Sequence, residues 1–236
     1  MQLFLILLVT LFASFTHTLA GFGAALVTMP IFAKLLGVQV AAPLAALIVP
    51  TIEFLLLIRY RESFNLRVVW RLIAGAIVAI PLGVWSLRQV DERIILTILG
   101  VVLILYALYA FLRLKLPELQ HSSWAYAFGF IAGLLNGAYN TSGPPVIIYG
   151  NCRGWGPAEF KANLQGFFTV AGLWVIINHA FSGNLTPFVW QHYLLSLGAI
   201  ALGLWLGLKL DQRVNAATFR KIVLGMLIIL GVILIL

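Results

Sequence analysis

The sequence has 236 residues, of which 62% are hydrophobic and only 9% are charged, and its mean hydropathy is +1.05. An ordinary soluble domain carries roughly 25% charged residues, so the composition excludes a soluble protein and predicts an all-α integral membrane protein. The net charge of +8 comes from Arg and Lys near the ends of apolar segments, which indicates membrane topology and lipid headgroup contacts rather than nucleic-acid binding. The single cysteine, Cys152, excludes an intramolecular disulfide and a cysteine-based zinc site.

Eight apolar segments approach or exceed the roughly 20 residues that a bilayer crossing requires, and we predict about eight transmembrane helices. In chain order they cover residues 2–36, 40–59, 67–87, 93–113, 123–150, 158–181, 187–209 and 217–236. The first 20 residues are similar to a signal peptide, but a basic stretch is lacking and the apolar sequence continues to Leu36, so we expect a first span. The first and fifth segments are too long for one straight crossing, because about 35 helical residues extend over about 50 Å.

Glycine and proline interrupt both long segments where a helix should continue. The first contains Gly21-Phe22-Gly23 and then Pro30, and the fifth contains a Gly- and Pro-rich run over residues 133–145. Proline removes a backbone donor and clashes with the preceding turn. Lipid cannot satisfy the freed backbone groups, so a break survives only if it lines a cavity or is enclosed by other helices. The pattern predicts that helices 1 and 5 are broken and that function resides at the breaks.

A repeat is visible when residues 70–93 are aligned with residues 190–213 at a constant offset of 120. The identical pairs include Trp70/Trp190, Gly83/Gly203, Trp85/Trp205, Asp91/Asp211 and Arg93/Arg213. We therefore predict two four-helix repeats, residues 1–116 and 117–236, within one membrane domain. An even number of spans per repeat gives both halves the same orientation in the membrane.

The polar and glycine residues of the fifth segment are the main candidates for substrate binding: Asn136, Gly137, Asn140, Thr141, Ser142 and Gly143. The side chains supply hydrogen-bond donors, and the glycines let the backbone approach a ligand closely. The alternative is that the glycines permit close helix packing while the polar groups join helices to one another.

The first break, with Gly21, Phe22 and Gly23, is expected to face the second across the repeat axis. A helix that restarts after such a break points unpaired amides and the positive end of its dipole into it, which favours an anion. In the sixth segment Asn163 and Gln165 point in roughly opposite directions on a helix, so both cannot face one small cavity. We predict that Asn163 does, because it shares a stripe with Phe167 and Val170.

Two titratable residues lie inside predicted spans. His17 is a candidate proton carrier because an unperturbed imidazole titrates near neutral pH, although a hydrogen bond to a neighbouring carbonyl is an equal alternative. Glu53 is the only acidic residue well inside a span, and a carboxylate in lipid is costly, so it is a candidate for proton coupling. The alternative is that Glu53 reaches toward Arg59, Arg61 or the membrane interface.

The stretches 21–30 (beginning Gly-Phe-Gly-Ala-Ala and ending in Pro) and 133–145 (Gly-x-x-Asn-Gly-x-x-Asn-Thr-Ser-Gly-Pro-Pro) resemble the paired glycine-rich motifs of the TauE/SafE sulfite exporter family. The resemblance covers essentially the whole chain. It departs from the glycine-richer form usual in the family at Ala24, Ala25 and residues 140–142. It implies a multi-pass secondary transporter of the bacterial inner membrane that exports a small anion such as sulfite, an organosulfonate or a related organic acid. No metal or cofactor is implied, and a homodimer is a further expectation.

Other classes are less well supported by the sequence. The four histidines are scattered, and there is no His/Glu/Asp metal cluster, Ser/His/Asp set or Gly-Lys phosphate loop, so we predict that the protein is not an enzyme. The alternative to a carrier is an anion channel, or a membrane accessory or assembly protein without transport activity. A conductance that does not saturate with substrate concentration would distinguish a channel from a carrier.

Overall fold

The computed structural model describes residues 1–112, 116–211 and 216–236. Within these ranges ten stretches are α-helical and none is a strand, which confirms the all-helical class. The helices are α1 (Gln2–Ala20), α2 (Ala24–Leu36), α3 (Val38–Tyr60), α4 (Leu66–Gln89), α5 (Glu92–Leu112), α6 (Trp124–Tyr139), α7 (Gly143–Cys152), α8 (Pro157–Phe181), α9 (Pro187–Leu210) and α10 (Ala216–Ile235). Arg213, which closes the aligned stretch, lies outside the described residues.

Six of the described helices, α1, α3, α4, α5, α8 and α9, are each long and apolar enough to cross a membrane alone. By contrast, α2, α6 and α7 have 13, 16 and 10 residues, fewer than one crossing requires. The first apolar segment thus contains α1, which is long enough for a crossing, followed by the shorter α2, and the fifth contains two short helices in succession.

Both pairs of successive helices are separated by three residues. α1 is followed by Gly21, whose φ is 78°, and α2 is preceded by Gly23, whose φ is 105°. Glycine adopts these left-handed conformations without the steric penalty of a β-carbon. α6 is followed by Asn140, whose φ is 53°, and Asn is one of the few other residues that tolerate this region.

Glycines allow the main chains of α4 and α6 to come into direct contact. A β-carbon at Gly133 would lie 2.6 Å from the carbonyl oxygen of Ala76, and one at Gly83 would overlap the backbone of α6 near Gly137. On the other side of the molecule, α1 approaches α9 at Gly203, where a β-carbon would lie 2.5 Å from the Leu11 carbonyl oxygen. Small residues permit such close helix contacts in membrane proteins.

The centre of the bundle is formed by α3 and α8. A β-carbon at Gly172 of α8 would lie 2.6 Å from a ring carbon of Pro50 in α3, so the two helices cross in close contact. Within its apolar window α3 is 72% buried, whereas α9 is 28% buried. α3 is therefore a core helix that can carry polar groups away from lipid, and α9 lies at the periphery.

Candidate functional site

One small cavity is bordered by both of the three-residue interruptions. Its lining residues are His17, residues 23–26, Glu53, residues 140–143 and Phe168. The volume open to the centre of a water molecule is about 20 Å³, which is room for roughly one water-sized particle. The cavity thus brings together parts of α1, α2, α3, α7 and α8 that are far apart in the sequence.

His17 and Gln165 hold the first interruption in place. The Ala24 amide donates to His17 Nδ1 at 3.3 Å, and Gln165 Nε2 donates to the Gly21 carbonyl oxygen at 2.8 Å. His17 Nε2 lies 3.4 Å from Gln165 Oε1 and 3.3 Å from Gln165 Nε2. A backbone amide only donates and a carbonyl only accepts, so this pattern requires a neutral imidazole that carries its proton on Nε2 and donates to Gln165 Oε1. We call this arrangement the His17–Gln165 clamp.

The amino end of α2 contributes donors to the cavity. The first amides of an α-helix have no partner within the helix. The Ala24 amide donates a hydrogen bond to His17. The next two amides belong to Ala25 and Leu26, which are buried residues that border the cavity. The positive end of the α2 dipole lies at the same place. This side of the cavity therefore favours a negatively charged or electron-rich group.

The second interruption contributes polar side chains, two of which are already bonded to the backbone. Asn140 Nδ2 donates to the Ala42 carbonyl oxygen at 2.8 Å, and Thr141 Oγ1 donates to the Tyr139 carbonyl oxygen at 2.9 Å. Asn140 Oδ1 is buried and accepts no hydrogen bond from any described residue. Both prolines that follow Gly143 lack an amide hydrogen. The Gly143 amide and the Ser142 hydroxyl are the remaining donors here, and both residues border the cavity.

Glu53 is 6% exposed and lines the cavity from α3. Within the described part of the chain it forms no hydrogen bond and no ion pair, and its carboxyl lies beside Gly172 of α8. Burying an unpaired carboxylate is costly, so the group must be protonated or must hold a cation.

Several residues of the predicted site border the cavity: His17, Gly23, Glu53, Asn140, Thr141, Ser142 and Gly143. Other predicted residues lie beside it. The Gly21 carbonyl belongs to the His17–Gln165 clamp, and the Phe22 ring packs edge-on against Tyr106 with centroids 6.0 Å apart. The Asn136 carbonyl accepts the Asn140 amide at 2.8 Å, and Gly137 lies against the backbone of α4.

The preference for Asn163 over Gln165 does not agree with the geometry. Asn163 Oδ1 accepts the amide of Asn65 at 3.2 Å, which ties α8 to the residue preceding α4, and Asn163 is absent from the cavity lining. Gln165 instead reaches the first interruption, and Phe168, three residues later, borders the cavity. Their spacing places them on one helix face with Gly172, a signal present in the sequence. Neither Asn163 nor Gln165 lines the cavity itself, and Gln165 is the one of the two that contacts the first interruption.

The described ranges contain no group of three or more His, Cys, Asp or Glu side chains close enough to hold a metal ion. The cavity itself combines one carboxyl, one imidazole, amide donors and oxygen acceptors. These groups can bind small ions and transfer protons, and they contain no nucleophile held by a base.

Comparison with known proteins identifies a family that the chain matches. The family model described as "Sulfite exporter TauE/SafE" matches residues 6–234. A curated relative from Cupriavidus necator, named "Probable sulfite/organosulfonate exporter TauE", is 28% identical over 171 residues. The match covers 69% of this chain and 66% of the relative, so the chain spans slightly less than two thirds of that protein. No solved structure matches the chain.

The match extends over nearly the whole chain and confirms the resemblance carried by the two glycine-rich motifs. The family consists of membrane exporters rather than a class of enzymes. Together with six helices suited to crossing a membrane, this makes the protein a multi-pass protein of a bacterial membrane. The chain belongs to the sulfite exporter TauE/SafE family.

Proposed function

We propose that the protein is a secondary transporter that exports a small anion, sulfite or an organosulfonate, by alternating access around the central cavity. The observation that carries the proposal is that two helix interruptions, from opposite halves of the chain, border the same cavity. Discontinuous helices in corresponding positions of two halves are typical of the substrate sites of secondary transporters. The name of the Cupriavidus necator relative supports this choice of substrate class.

In this proposal α1 with α2, and α6 with α7, are two interrupted spans, which gives eight spans in two repeats, residues 1–116 and 117–236. The packing of equivalent glycines supports the repeat. Gly83 and Gly203 are 120 positions apart. Gly83 lies against the backbone of α6, and Gly203 lies against the backbone of α1. Each therefore packs on the helix that precedes the interruption in the other half.

The anion would bind at the α2 side of the cavity, where the Ala25 and Leu26 amides and the helix dipole favour negative charge. An organosulfonate is larger than a water-sized space, so the helices around the cavity must separate during the transport cycle. The predicted residues Asn140, Thr141 and Ser142 would complete the site from the other side.

Proton coupling is part of the proposal, and Glu53 is the better candidate carrier. It is buried, it faces the cavity, and no described residue neutralises it. His17 is held as a neutral acceptor, and a proton on Nδ1 would oppose the Ala24 amide hydrogen. Protonation of His17 would therefore open the His17–Gln165 clamp instead of simply carrying charge.

The test is flux of sulfite and of methanesulfonate in proteoliposomes that contain the purified protein. We expect saturable flux, and we expect Asn140→Ala and Glu53→Gln to reduce it by at least about tenfold, because the first removes a polar side chain from the cavity and the second removes the ionisable carboxyl. Asn178→Ala is the matched control, since Asn178 bonds the Trp174 carbonyl within its own helix and is absent from the cavity lining.

Absence of flux for every anion tested, with correctly folded protein, would contradict the proposal and favour an accessory role. A conductance that rises without saturation would favour an anion channel. Equal losses in Asn140→Ala and Asn178→Ala would mean that the cavity is not the substrate site.

A further inference from the structure

We propose that the acceptor side of the cavity binds Na⁺, held by the Glu53 carboxylate and Asn140 Oδ1, with the Thr141 and Ser142 hydroxyl oxygens as further ligands. The inference rests on the proposed function in one respect, namely that this cavity is where transport takes place. It adds a second ligand of opposite charge to the anion.

The first argument is that two side-chain donors on this side, those of Asn140 and Thr141, are already used. The Nδ2 group of Asn140 is bonded to the Ala42 carbonyl, which fixes the orientation of the amide because a carbonyl cannot donate. Asn140 Oδ1 is therefore the atom left over, and it is buried without a partner among the described residues. The Thr141 hydroxyl gives its hydrogen to the Tyr139 carbonyl, which leaves its lone pairs available.

The second argument is the charge of Glu53. An unpaired carboxyl that is 6% exposed needs a proton or a cation, and the described residues provide no cationic partner for it. Carboxylate, amide carbonyl and hydroxyl oxygens are the ligands preferred by hard cations. The other titratable residue of the lining is His17, which the His17–Gln165 clamp holds in its neutral form.

The third argument is size and position. The space open to the centre of a water molecule is about 20 Å³, which is enough for one Na⁺ ion. The negative carboxyl end of α6 lies beside the cavity at Asn140, and the positive amino end of α7 begins at Gly143. In transporters with broken helices, such carboxyl ends and unwound carbonyls coordinate coupling cations.

The arrangement places a cation between the anion and Glu53. A cation on the acceptor side would strengthen anion binding at the α2 side, and by linkage the anion would strengthen cation binding by the same factor. A proton on Glu53 removes the charge that holds the cation, so protons and Na⁺ compete at this carboxyl.

The experiment is a Na⁺ titration of purified protein in detergent, followed by thermal unfolding at alkaline pH, with choline chloride replacing NaCl at constant ionic strength. We expect a saturable rise in Tm with Na⁺ and none with choline. The half-saturating Na⁺ concentration should increase as the pH is lowered, because protons compete. Glu53→Gln should abolish the rise, and Asn140→Ala should increase the half-saturating concentration by at least about tenfold. Asn178→Ala should match the wild type.

If Glu53→Gln does not fold, the comparison of Na⁺ with choline and its pH dependence in the wild type still decides the question. Equal Tm values in NaCl and choline chloride, or a Na⁺ effect that persists in folded Glu53→Gln, would overturn the inference. Saturable sulfite flux that is independent of Na⁺ would overturn the inference and leave the anion transporter intact. Na⁺ binding without flux of any anion would instead contradict the proposed function.

Discussion

The two interruptions that border the cavity are built from different chemistry. At the first, glycines with positive φ free the backbone, the lining residues after Gly23 are apolar, and the polar contribution is the amide end of α2. At the second, Asn140 supplies the left-handed residue, polar side chains line the cavity, and two prolines remove amides from α7. The first side therefore offers main-chain amides, and the second offers polar side chains. The comparison teaches that two interruptions of equal length can present different polar groups to one cavity.

The largest expected effect concerns Gly137, which belongs to the second motif but lies against α4. A β-carbon there would lie 2.8 Å from the Val84 amide nitrogen, and Val would add two further methyl groups. We expect Gly137→Val to cost about 3 kcal/mol or more and to prevent recovery of folded protein, measured by size-exclusion chromatography. The control is Gly198→Val, because a β-carbon at Gly198 meets nothing within 4 Å. Folded Gly137→Val protein with impaired anion binding would assign Gly137 to the site instead.

Asn140→Gly distinguishes the contribution of the Asn140 side chain from that of its left-handed backbone at the second interruption. Glycine adopts the left-handed conformation freely, and this gain offsets the lost bond to the Ala42 carbonyl, which is worth about 1 kcal/mol. We therefore expect Tm to change by less than about 5 °C while sulfite flux falls at least about tenfold. Flux equal to that of the wild type would show that this interruption acts through its backbone, as the first one does.

Gln165→Met tests the His17–Gln165 clamp of the first interruption. Met has a similar volume but cannot bond the Gly21 carbonyl or His17, so the α2 amides lose their fixed position. We expect the KM for sulfite to rise about threefold to tenfold, with about 1 kcal/mol lost in stability. Asn163→Ala, which removes the bond to the Asn65 amide, should lower Tm and leave KM within about twofold. A larger rise in KM for Asn163→Ala than for Gln165→Met would instead assign Asn163 to the site.

Gly23→Ala is expected to change stability through backbone strain alone. Nothing lies within 4 Å of the added β-carbon, so the cost is the strain of φ 105° alone, about 1–2 kcal/mol. Gly225→Ala, at an open position within α10, should instead stabilise the protein by about 0.5–1 kcal/mol. Unfolding in denaturant would compare the two. A Gly23→Ala variant as stable as Gly225→Ala would mean that α2 begins in a different conformation.

The helix boundaries could be predicted because the thickness of the bilayer sets the length of the apolar segments. The segment 187–209 corresponds to α9 at Pro187–Leu210, and the segment 158–181 corresponds to α8 at Pro157–Phe181. The positions of the interruptions followed from glycine, whose freedom at positive φ has no local substitute other than Asn. These properties depend on the residue itself and its immediate neighbours.

The candidate site was less predictable because it depends on which helices become neighbours. Nothing local shows that Gly137 meets the backbone of α4, or that the Asn140 amide is used by the Ala42 carbonyl. For the same reason the cavity-facing side of α8 could not be chosen between Asn163 and Gln165. The residue types identified the candidate site residues. Only the tertiary contacts distinguish residues that border the cavity from residues that pack helices together.

The glycine contact between α4 and α6 also limits how the protein can change shape. Each glycine lies under a carbonyl of the opposing helix, so sliding by even a fraction of a turn would drive main-chain atoms into one another. α4 and α6 must therefore travel as one stiff unit. In the proposed transport cycle, opening of the cavity would come from displacement of the flanking helices relative to that unit. Spin labels on α4 and α6 would report one constant separation throughout the cycle.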